Sequence, residues 1–243
     1  MIVYYFSGTG NSLKAARDIA EKCGGSIASM RVPAAPTESG GAIGFVFPVY
    51  YGGLPNAVRQ FIRQSDFTGG YFFAVATYGA MSGGAIDEVN ALLLDKGLGL
   101  DYGAGVRAYP NYIAAYPMFR NAQRTAAKQD KKIAGIAGEI SRETRNVNKK
   151  PDFTRKTDAV NILASKDCGF TVSDDCVNCG MCAKICPVGN IELADGKPDF
   201  RHGCEQCMAC IQWCPQRAIN YGNKTQKRRR YHHPAVKAED LFV

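Results

Sequence analysis

Long apolar stretches are missing from this 243-residue sequence. The two longest, GAIGFVFPVYYGG and GGYFFAVATYGAM, are interrupted by glycine and are too short to cross a bilayer. The first residues, MIVYYFSGTG, contain neither the basic segment nor the small-residue cleavage site of a secretory signal. We therefore expect a soluble protein of the cytoplasm without a membrane span.

Cysteine is almost absent from the first 150 residues, where Cys23 stands alone, although the chain contains ten cysteines. All the others lie between Cys168 and Cys214. In a reducing compartment, clustered cysteines are more typical of metal ligands than of disulfides. This uneven distribution predicts two domains with different chemistry.

The cysteine-rich part repeats one motif. CVNCGMCAKICP begins at Cys176 and CEQCMACIQWCP begins at Cys204, and both have the pattern C-x2-C-x2-C-x3-C-P. The first three cysteines of each motif suit one corner of a [4Fe–4S] cubane, and the fourth reaches across to the other cluster. One predicted ligand set is Cys176, Cys179, Cys182 and Cys214, and the other is Cys204, Cys207, Cys210 and Cys186.

These motifs resemble a bacterial dicluster ferredoxin over about residues 170 to 221. The resemblance implies a small α+β module that passes one electron at a time between two [4Fe–4S] clusters. Zinc and disulfides are the alternatives, although zinc sites usually use paired CxxC units rather than triplets with a displaced fourth cysteine. Cys23 and Cys168 lie outside both motifs and are interpreted as small buried apolar residues.

The first half alternates apolar runs with helical patterns. IVYYF, AIGFVF and YFFAVAT are continuous apolar runs, and each is followed by a segment with helical periodicity or helical composition. SIASM and GVRAY are weaker strand candidates, and a last helix is predicted in NAQRTAAKQDKKIAGIAGEISRE. This alternation predicts a doubly wound α/β fold, with a parallel five-stranded sheet covered by helices on both faces.

Three loops follow these strands at the sheet edge where ligands bind in such folds. SGTGNS offers backbone N–H groups, hydroxyls and a helix dipole to a phosphate, but no Lys or Arg. Taken alone, it is equally compatible with a plain turn. It matches neither the P-loop nor the dinucleotide fingerprint, so NAD(P)H binding is not expected. PVYYGGLP and TYGAMSGG supply tyrosines for a planar ring and glycines that let the backbone approach it.

Together, the strands and loops resemble flavodoxin over about residues 1 to 145. The resemblance implies FMN, with its phosphate on residues 7–12 and with Tyr51 or Tyr78 stacked on the isoalloxazine ring. The sequence departs from many flavodoxins in having YYGG in place of a Trp and no acidic residues in the third loop. The predicted FMN contacts are Ser7, Gly8, Thr9, Gly10, Asn11, Ser12, Pro48, Tyr50, Tyr51, Gly52, Gly53, Thr77, Tyr78, Gly79, Ser82, Gly83 and Gly84.

The order of the two halves is similar to that of EFR-type flavodoxin–ferredoxin fusion proteins of anaerobic bacteria and archaea. YPNY at 109–112 resembles a stretch common in those proteins, and we expect it near the flavin, at the domain interface or in an exposed loop. The predicted boundaries are an FMN domain at 1–150, a linker with a short helix at 151–165, a ferredoxin domain at 166–224 and a basic C-terminal tail at 225–243.

The expected function is electron transfer, in which low-potential electrons pass between FMN, the two clusters and a partner oxidoreductase. The alternative is an FMN-dependent reductase of a quinone, nitro compound, flavin or enone, supplied with electrons through the clusters. No acid, base or substrate-anchoring set stands beside the FMN loops, so no catalytic residue is predicted, although Tyr112 could donate a proton. The sequence leaves open whether the protein is an enzyme.

The formal net charge is +8, and much of it is concentrated in KTQKRRRYHH near the C-terminus. A solvated tail is the simplest interpretation. The alternatives are a docking segment for an acidic redox partner or a contact with nucleic acid. No helix-turn-helix pattern supports the last of these, so redox partner proteins are expected and nucleic acid is not.

Overall fold

The computed structural model describes residues 1–31, 40–147 and 164–242. The linker and short helix predicted at 151–165 therefore lie outside the described residues, apart from the last positions of that range. Residues 1–147 are called the N-terminal half below, and residues 164–242 are called the C-terminal half.

A five-stranded sheet forms the centre of the N-terminal half. Its strands are β1 (Ile2–Tyr5), β2 (Ser26–Ser29), β3 (Gly41–Pro48), β4 (Gly69–Tyr78) and β5 (Tyr102–Arg107). They lie in the order β2-β1-β3-β4-β5, and every neighbouring pair is parallel. The predicted fold class is confirmed, and this order places the topological switch point between β1 and β3.

Four helices cover the two faces of this sheet. They are α1 (Asn11–Cys23), α2 (Asn56–Gln64), α3 (Ala85–Leu94) and α4 (Ala122–Ser141). Successive side chains of a strand point to opposite faces. Val3 therefore joins the core formed with α1 and α4, whereas Tyr4 joins the core formed with α2 and α3. Each face of the sheet is buried by its own pair of helices, which explains why the central strands β1, β3 and β4 are predominantly apolar.

The C-terminal half is built from short elements. They are β6 (Phe170–Val172), α5 (Met181–Ile185), β7 (Ile191–Ala194), β8 (Lys197–Phe200), α6 (Ala209–Trp213) and β9 (Ile219–Tyr221). β6 pairs with β9 and β7 with β8, both antiparallel. α5 and α6 occupy equivalent positions in the two cysteine motifs, as expected for a duplicated unit.

The two halves pack tightly on each other. Ile185 and Trp213, from the two cysteine motifs, join the apolar core that α1 and α4 share. The buried carboxylate of Glu205 accepts the backbone N–H groups of Asn56 (3.1 Å) and Ala57 (2.6 Å) at the start of α2. The halves are therefore joined by both apolar contacts and hydrogen bonds.

The last residues differ from the predicted solvated tail. Residues 228–242, called the C-terminal strap below, return to the N-terminal half. Tyr231, Val236 and Leu241 are each 5% exposed or less. The guanidinium of Arg228 donates to the carbonyl of Ile113 at 2.5 Å. The expectation of a solvated tail was wrong because these apolar side chains are spaced among the charges and are buried.

In the described parts of the chain, no helix is both long enough and apolar enough to cross a membrane.

Candidate cofactor sites

A cavity of about 260 Å³ opens at the carboxyl ends of β1, β3 and β4. This is the sheet edge at which ligands bind in doubly wound folds. The structure brings twelve of the seventeen predicted FMN contacts together in its wall. They are Ser7, Gly8, Thr9, Asn11, Ser12, Pro48, Tyr50, Tyr51, Gly52, Thr77, Tyr78 and Gly79.

Residues 7–12, called the phosphate loop below, connect β1 to α1. Gly10 has a φ of 94°, a left-handed conformation that glycine adopts without strain, and α1 begins at the next residue. The first N–H groups of a helix lack partners within the helix and carry the positive end of its dipole. The loop therefore presents a positive surface to the cavity without using a Lys or Arg.

The hydroxyls of the phosphate loop are already ordered by the protein. Ser7 Oγ accepts the backbone N–H of Gly10 at 3.1 Å, and Thr9 Oγ1 accepts from the Asn111 side chain. Because both oxygens act as acceptors, their protons remain available to a ligand oxygen. Ser12 Oγ instead shares a hydrogen bond of 2.8 Å with Thr77 Oγ1 on β4. The loop residues thus fit a phosphate group.

A pair of tyrosines stands at the cavity wall. The hydroxyl of Tyr51 donates to that of Tyr112, and their ring centroids lie 5.6 Å apart at an interplanar angle of 75°. Tyr51 is 43% exposed and has a φ of 53°, which is unusual for a non-glycine residue. Partial burial, and then the bond to Tyr112, raise the pKa of Tyr51 well above its ordinary value. Tyr51 therefore remains a neutral phenol beside the space for a planar ring.

Five predicted contacts lie outside the cavity wall, namely Gly10, Gly53, Ser82, Gly83 and Gly84. Some of these residues shape the loops instead. Gly53 exchanges two backbone hydrogen bonds with Tyr50, which closes the second loop. A Cβ atom on Gly83 would lie 1.8 Å from the carbonyl oxygen of Gly52. The second and third loops therefore contact each other where glycine is the residue with enough room.

The sequence did not assign several wall residues to the FMN site. The YPNY stretch and Tyr116 line the cavity from the connection after β5. The unusual YPNY sequence was the signal for the former. Gln206 and Cys207 reach the wall from the C-terminal half. No local sequence pattern could show this, because their position depends on how the two halves pack.

The first predicted ligand set comes together in the structure. A small pocket of about 20 Å³ is lined by all four of its cysteines, Cys176, Cys179, Cys182 and Cys214. Cys214 belongs to the second motif, so this pocket brings cysteines of both motifs together. Burial raises the pKa of the Cys182 thiol to about 11.

The cysteines of the second predicted set also lie within electrostatic range of one another. Burial raises the pKa of Cys207, and the neighbouring Cys186 and Cys204 raise it further. The pKa of Cys210 is raised in the same way, with burial again the largest cause. Thiols in such surroundings ionise readily only when cations compensate the thiolates, which fits iron ligation.

Two sulfurs of the second set receive backbone hydrogen bonds. The N–H of Asn190 donates to Cys186 Sγ at 3.2 Å, and that of Gln206 donates to Cys204 Sγ at 3.3 Å. Bonds of this kind are typical around cluster sulfurs and tune cluster potentials. In the described residues, no group of three His, Cys, Asp or Glu side chains is arranged to hold one metal ion. A cubane differs in distributing its four thiolates over four irons.

The second set adjoins the phosphate loop, whereas part of the first set reaches the surface. A Cβ atom on Gly8 would lie 3.1 Å from the Cβ of Cys207, so the two backbones approach closely there. In the first motif, Cys179 is exposed, and its neighbour Val177 is 61% exposed. Cys207 of the second set thus lies at the cavity, whereas Cys179 of the first set is exposed.

Comparison with known families agrees with this division. Residues 2–77 match the family model of a flavodoxin domain, and residues 171–192 match that of a 4Fe-4S binding domain. A flavodoxin-like domain precedes a 4Fe–4S ferredoxin region. The cofactors of these two domain types are FMN and [4Fe–4S] clusters, and the domains support electron transfer as a general function.

One curated relative matches a short part of the chain. It is a component of an ion-translocating oxidoreductase complex from Methanosarcina acetivorans, 32% identical over 73 residues. The match covers 28% of this chain and 28% of the relative, so the chain spans well under a third of the length of that protein.

Solved structures similar to the chain include a putative flavoprotein from Bacteroides uniformis, with 21% identity and a TM-score of 0.35. That match covers 44% of this chain and 88% of the other. A flavodoxin from the domain Archaea has 16% identity and a TM-score of 0.32, with coverages of 56% and 97%. At these scores, neither structure adds to the fold that the strand order already establishes.

Proposed function

We propose that this protein relays low-potential electrons between FMN in the cavity and two [4Fe–4S] clusters, and from there to a partner oxidoreductase. FMN would supply the exchange of one or two electrons at a time. The observation that carries the proposal is the position of Cys207. This predicted cluster ligand lines the same cavity as the phosphate loop and contacts Gly8.

In this proposal, residues of the N-terminal half bind the flavin. The phosphate lies on the backbone N–H groups and hydroxyls of residues 7–12, and the planar ring lies against the tyrosines of the cavity wall. The cluster of Cys204, Cys207, Cys210 and Cys186 is then the neighbour of the flavin. The cluster of Cys176, Cys179, Cys182 and Cys214 lies nearer the surface and exchanges electrons with the partner.

The first test is composition. Protein purified without oxygen should contain about eight iron atoms and one FMN per chain, the content of two cubanes and one flavin site. Zinc in place of iron, or protein that does not bind FMN, would contradict the proposal. Anaerobic spectro-electrochemistry with EPR then gives the order of the three potentials and hence the direction of electron flow.

A reductase acting on a small molecule is the second candidate, and the tyrosine pair favours it. Tyr112 lies in the cavity wall. Its hydroxyl accepts a hydrogen bond from the Tyr51 hydroxyl and donates one to Gln206 Oε1 at 3.2 Å. A phenol in this position could protonate an acceptor beside the flavin. Saturable turnover of a quinone or nitro compound without any partner protein, lost in Tyr112→Phe, would favour this candidate over the carrier.

A further inference from the structure

The C-terminal half holds the phosphate loop by its backbone carbonyls. Trp213 Nε1 donates to the carbonyl of Gly8 at 3.0 Å, and the backbone N–H of His233 donates to that of Thr9 at 2.8 Å. A bound phosphate would be repelled by carbonyl oxygens that pointed at it. The carbonyl oxygens of Gly8 and Thr9 instead accept hydrogen bonds from donors of the C-terminal half. In a trans peptide, the following N–H points the opposite way, so the N–H of Thr9 is directed away from Trp213. The N–H of Gly10 donates to Ser7 Oγ.

The strap also fixes the first residue of α1. The side chain of Asn11 is 6% exposed, and its Oδ1 accepts the hydroxyl of Tyr231 at 2.6 Å. The Tyr231 ring stacks on Tyr109, with centroids 4.0 Å apart and planes at 23°. The start of α1, where the helix dipole meets the cavity, is therefore held by a residue that lies 220 positions later in the chain.

The donors to the loop are connected to the cluster region through α6. Gln212 on this helix accepts the backbone N–H of Tyr231 at 2.7 Å, and its Nε2 donates to the carbonyl of Asn111 at 2.8 Å. The same helix carries Trp213 and contains Cys210, and Cys214 follows it directly. One short helix thus contributes to both predicted cluster sites and to the anchoring of the phosphate loop.

We propose that Trp213 and Tyr231 are positioning residues for the FMN phosphate. They hold Gly8 and Asn11 so that the phosphate loop keeps its anion-binding shape before the flavin arrives. This inference rests on the proposed placement of FMN in the cavity. It assigns part of the affinity of the N-terminal half for FMN to side chains of the C-terminal half.

The test compares FMN with riboflavin, which has the same ring but no phosphate. Tyr231→Phe removes one hydroxyl and keeps the ring that stacks on Tyr109. It leaves Asn11 Oδ1 without this donor, so we expect the FMN dissociation constant to rise roughly tenfold. Riboflavin affinity should not change. Both constants are measured on cluster-loaded protein by quenching of flavin fluorescence, and the phosphorus NMR signal of bound FMN should shift.

Trp213→Phe is the second variant, because it removes the donor to Gly8 and retains an aromatic ring. It should also weaken FMN more than riboflavin. Tyr71→Phe is the matched control: it removes a buried hydroxyl that donates to the carbonyl of Thr144 at 2.7 Å and lies outside the cavity wall. We expect the control to lower the melting temperature without changing either affinity.

The outcomes separate this inference from the proposed function. Loss of FMN affinity with unchanged riboflavin affinity in Tyr231→Phe supports the positioning role. Equal weakening of both flavins, or no weakening of FMN, overturns it while the proposed function stands. Wild-type protein that bound neither flavin would overturn the proposed function itself.

Discussion

The two cysteine motifs share one pattern but lie in different surroundings. The second motif contributes Cys207 to the wall of the cavity at the sheet edge, and Glu205 in the same motif accepts hydrogen bonds from the start of α2. The first motif contributes the exposed Cys179 and the 61% exposed Val177 to the surface. The same cysteine pattern therefore lies in one buried and one partly exposed environment, because the packing around each copy differs. In the proposed electron path, the two copies would hold the inner and the outer carrier.

The largest effect is expected from a substitution in the second motif, which lies at the cavity. Cys210→Ala removes a buried ligand of the second set from α6. We expect loss of one cluster, about four of eight irons, together with weaker retention of FMN, because α6 also anchors the phosphate loop. Cys179→Ala is the matched variant at the exposed end, and it should lose one cluster but keep FMN. Iron and flavin analysis of both proteins, prepared in parallel, measures the difference.

Equal loss of FMN from the two cysteine variants would show that the inner and outer sets do not differ in their coupling to the flavin site. Full retention of FMN in Cys210→Ala would have the same consequence.

The next prediction concerns the crossed ligands. Cys186→Ala, although in the first motif, should perturb the cluster held by the second motif, and Cys214→Ala should perturb the first. EPR of each reduced variant resolves which cluster signal changes. A change confined to the cluster of the mutated residue's own motif would refute the crossed assignment.

A smaller effect is expected from the contact between the second motif and α2. Glu205→Gln replaces a carboxylate that accepts two N–H groups at a helix start by a neutral side chain. We expect a loss of about 1 kcal/mol in stability, because the single amide oxygen of Gln cannot accept both N–H groups as the two carboxylate oxygens do. The negative charge itself adds little, since burial raises the pKa of Glu205. Thermal unfolding of the cluster-loaded protein measures it. Glu192→Gln, which affects the exposed pair with Arg201 in the first copy, should change much less. Equal losses of stability in the two variants would contradict the difference in packing between the two copies.

The smallest prediction concerns the end of the C-terminal strap. Asp240 pairs with Arg17 on α1 at 3.0 Å, and the hydrogen bond from Arg17 lowers the pKa of Asp240. Both side chains are partly exposed, so Asp240→Asn should lower stability by only a few tenths of a kcal/mol. The difference from wild type should disappear in concentrated salt, which screens the pair. A difference that persisted there would mean that the pair does not act through charge.

The sequence was sufficient for features that are local. The central strands β1, β3 and β4 contain continuous apolar runs, and the cysteine spacing and the glycine- and hydroxyl-rich loop after β1 are recognisable in a few residues. The apposition of Gly8 and Cys207 was not recognisable, because it depends on packing between distant segments. The burial of the strap was also missed. The charges of KRRR suggested an exposed segment, whereas the burial of Tyr231, Val236 and Leu241 packs the strap against the rest of the protein.

The C-terminal strap also sets an order of events during synthesis. Domains generally fold from the N-terminus as the chain emerges. Tyr231 and His233, which hold the phosphate loop, are synthesised more than 200 residues after it. In the nascent chain, the phosphate loop can therefore form its hydrogen bonds with Tyr231 and His233 only after the C-terminal half has been synthesised.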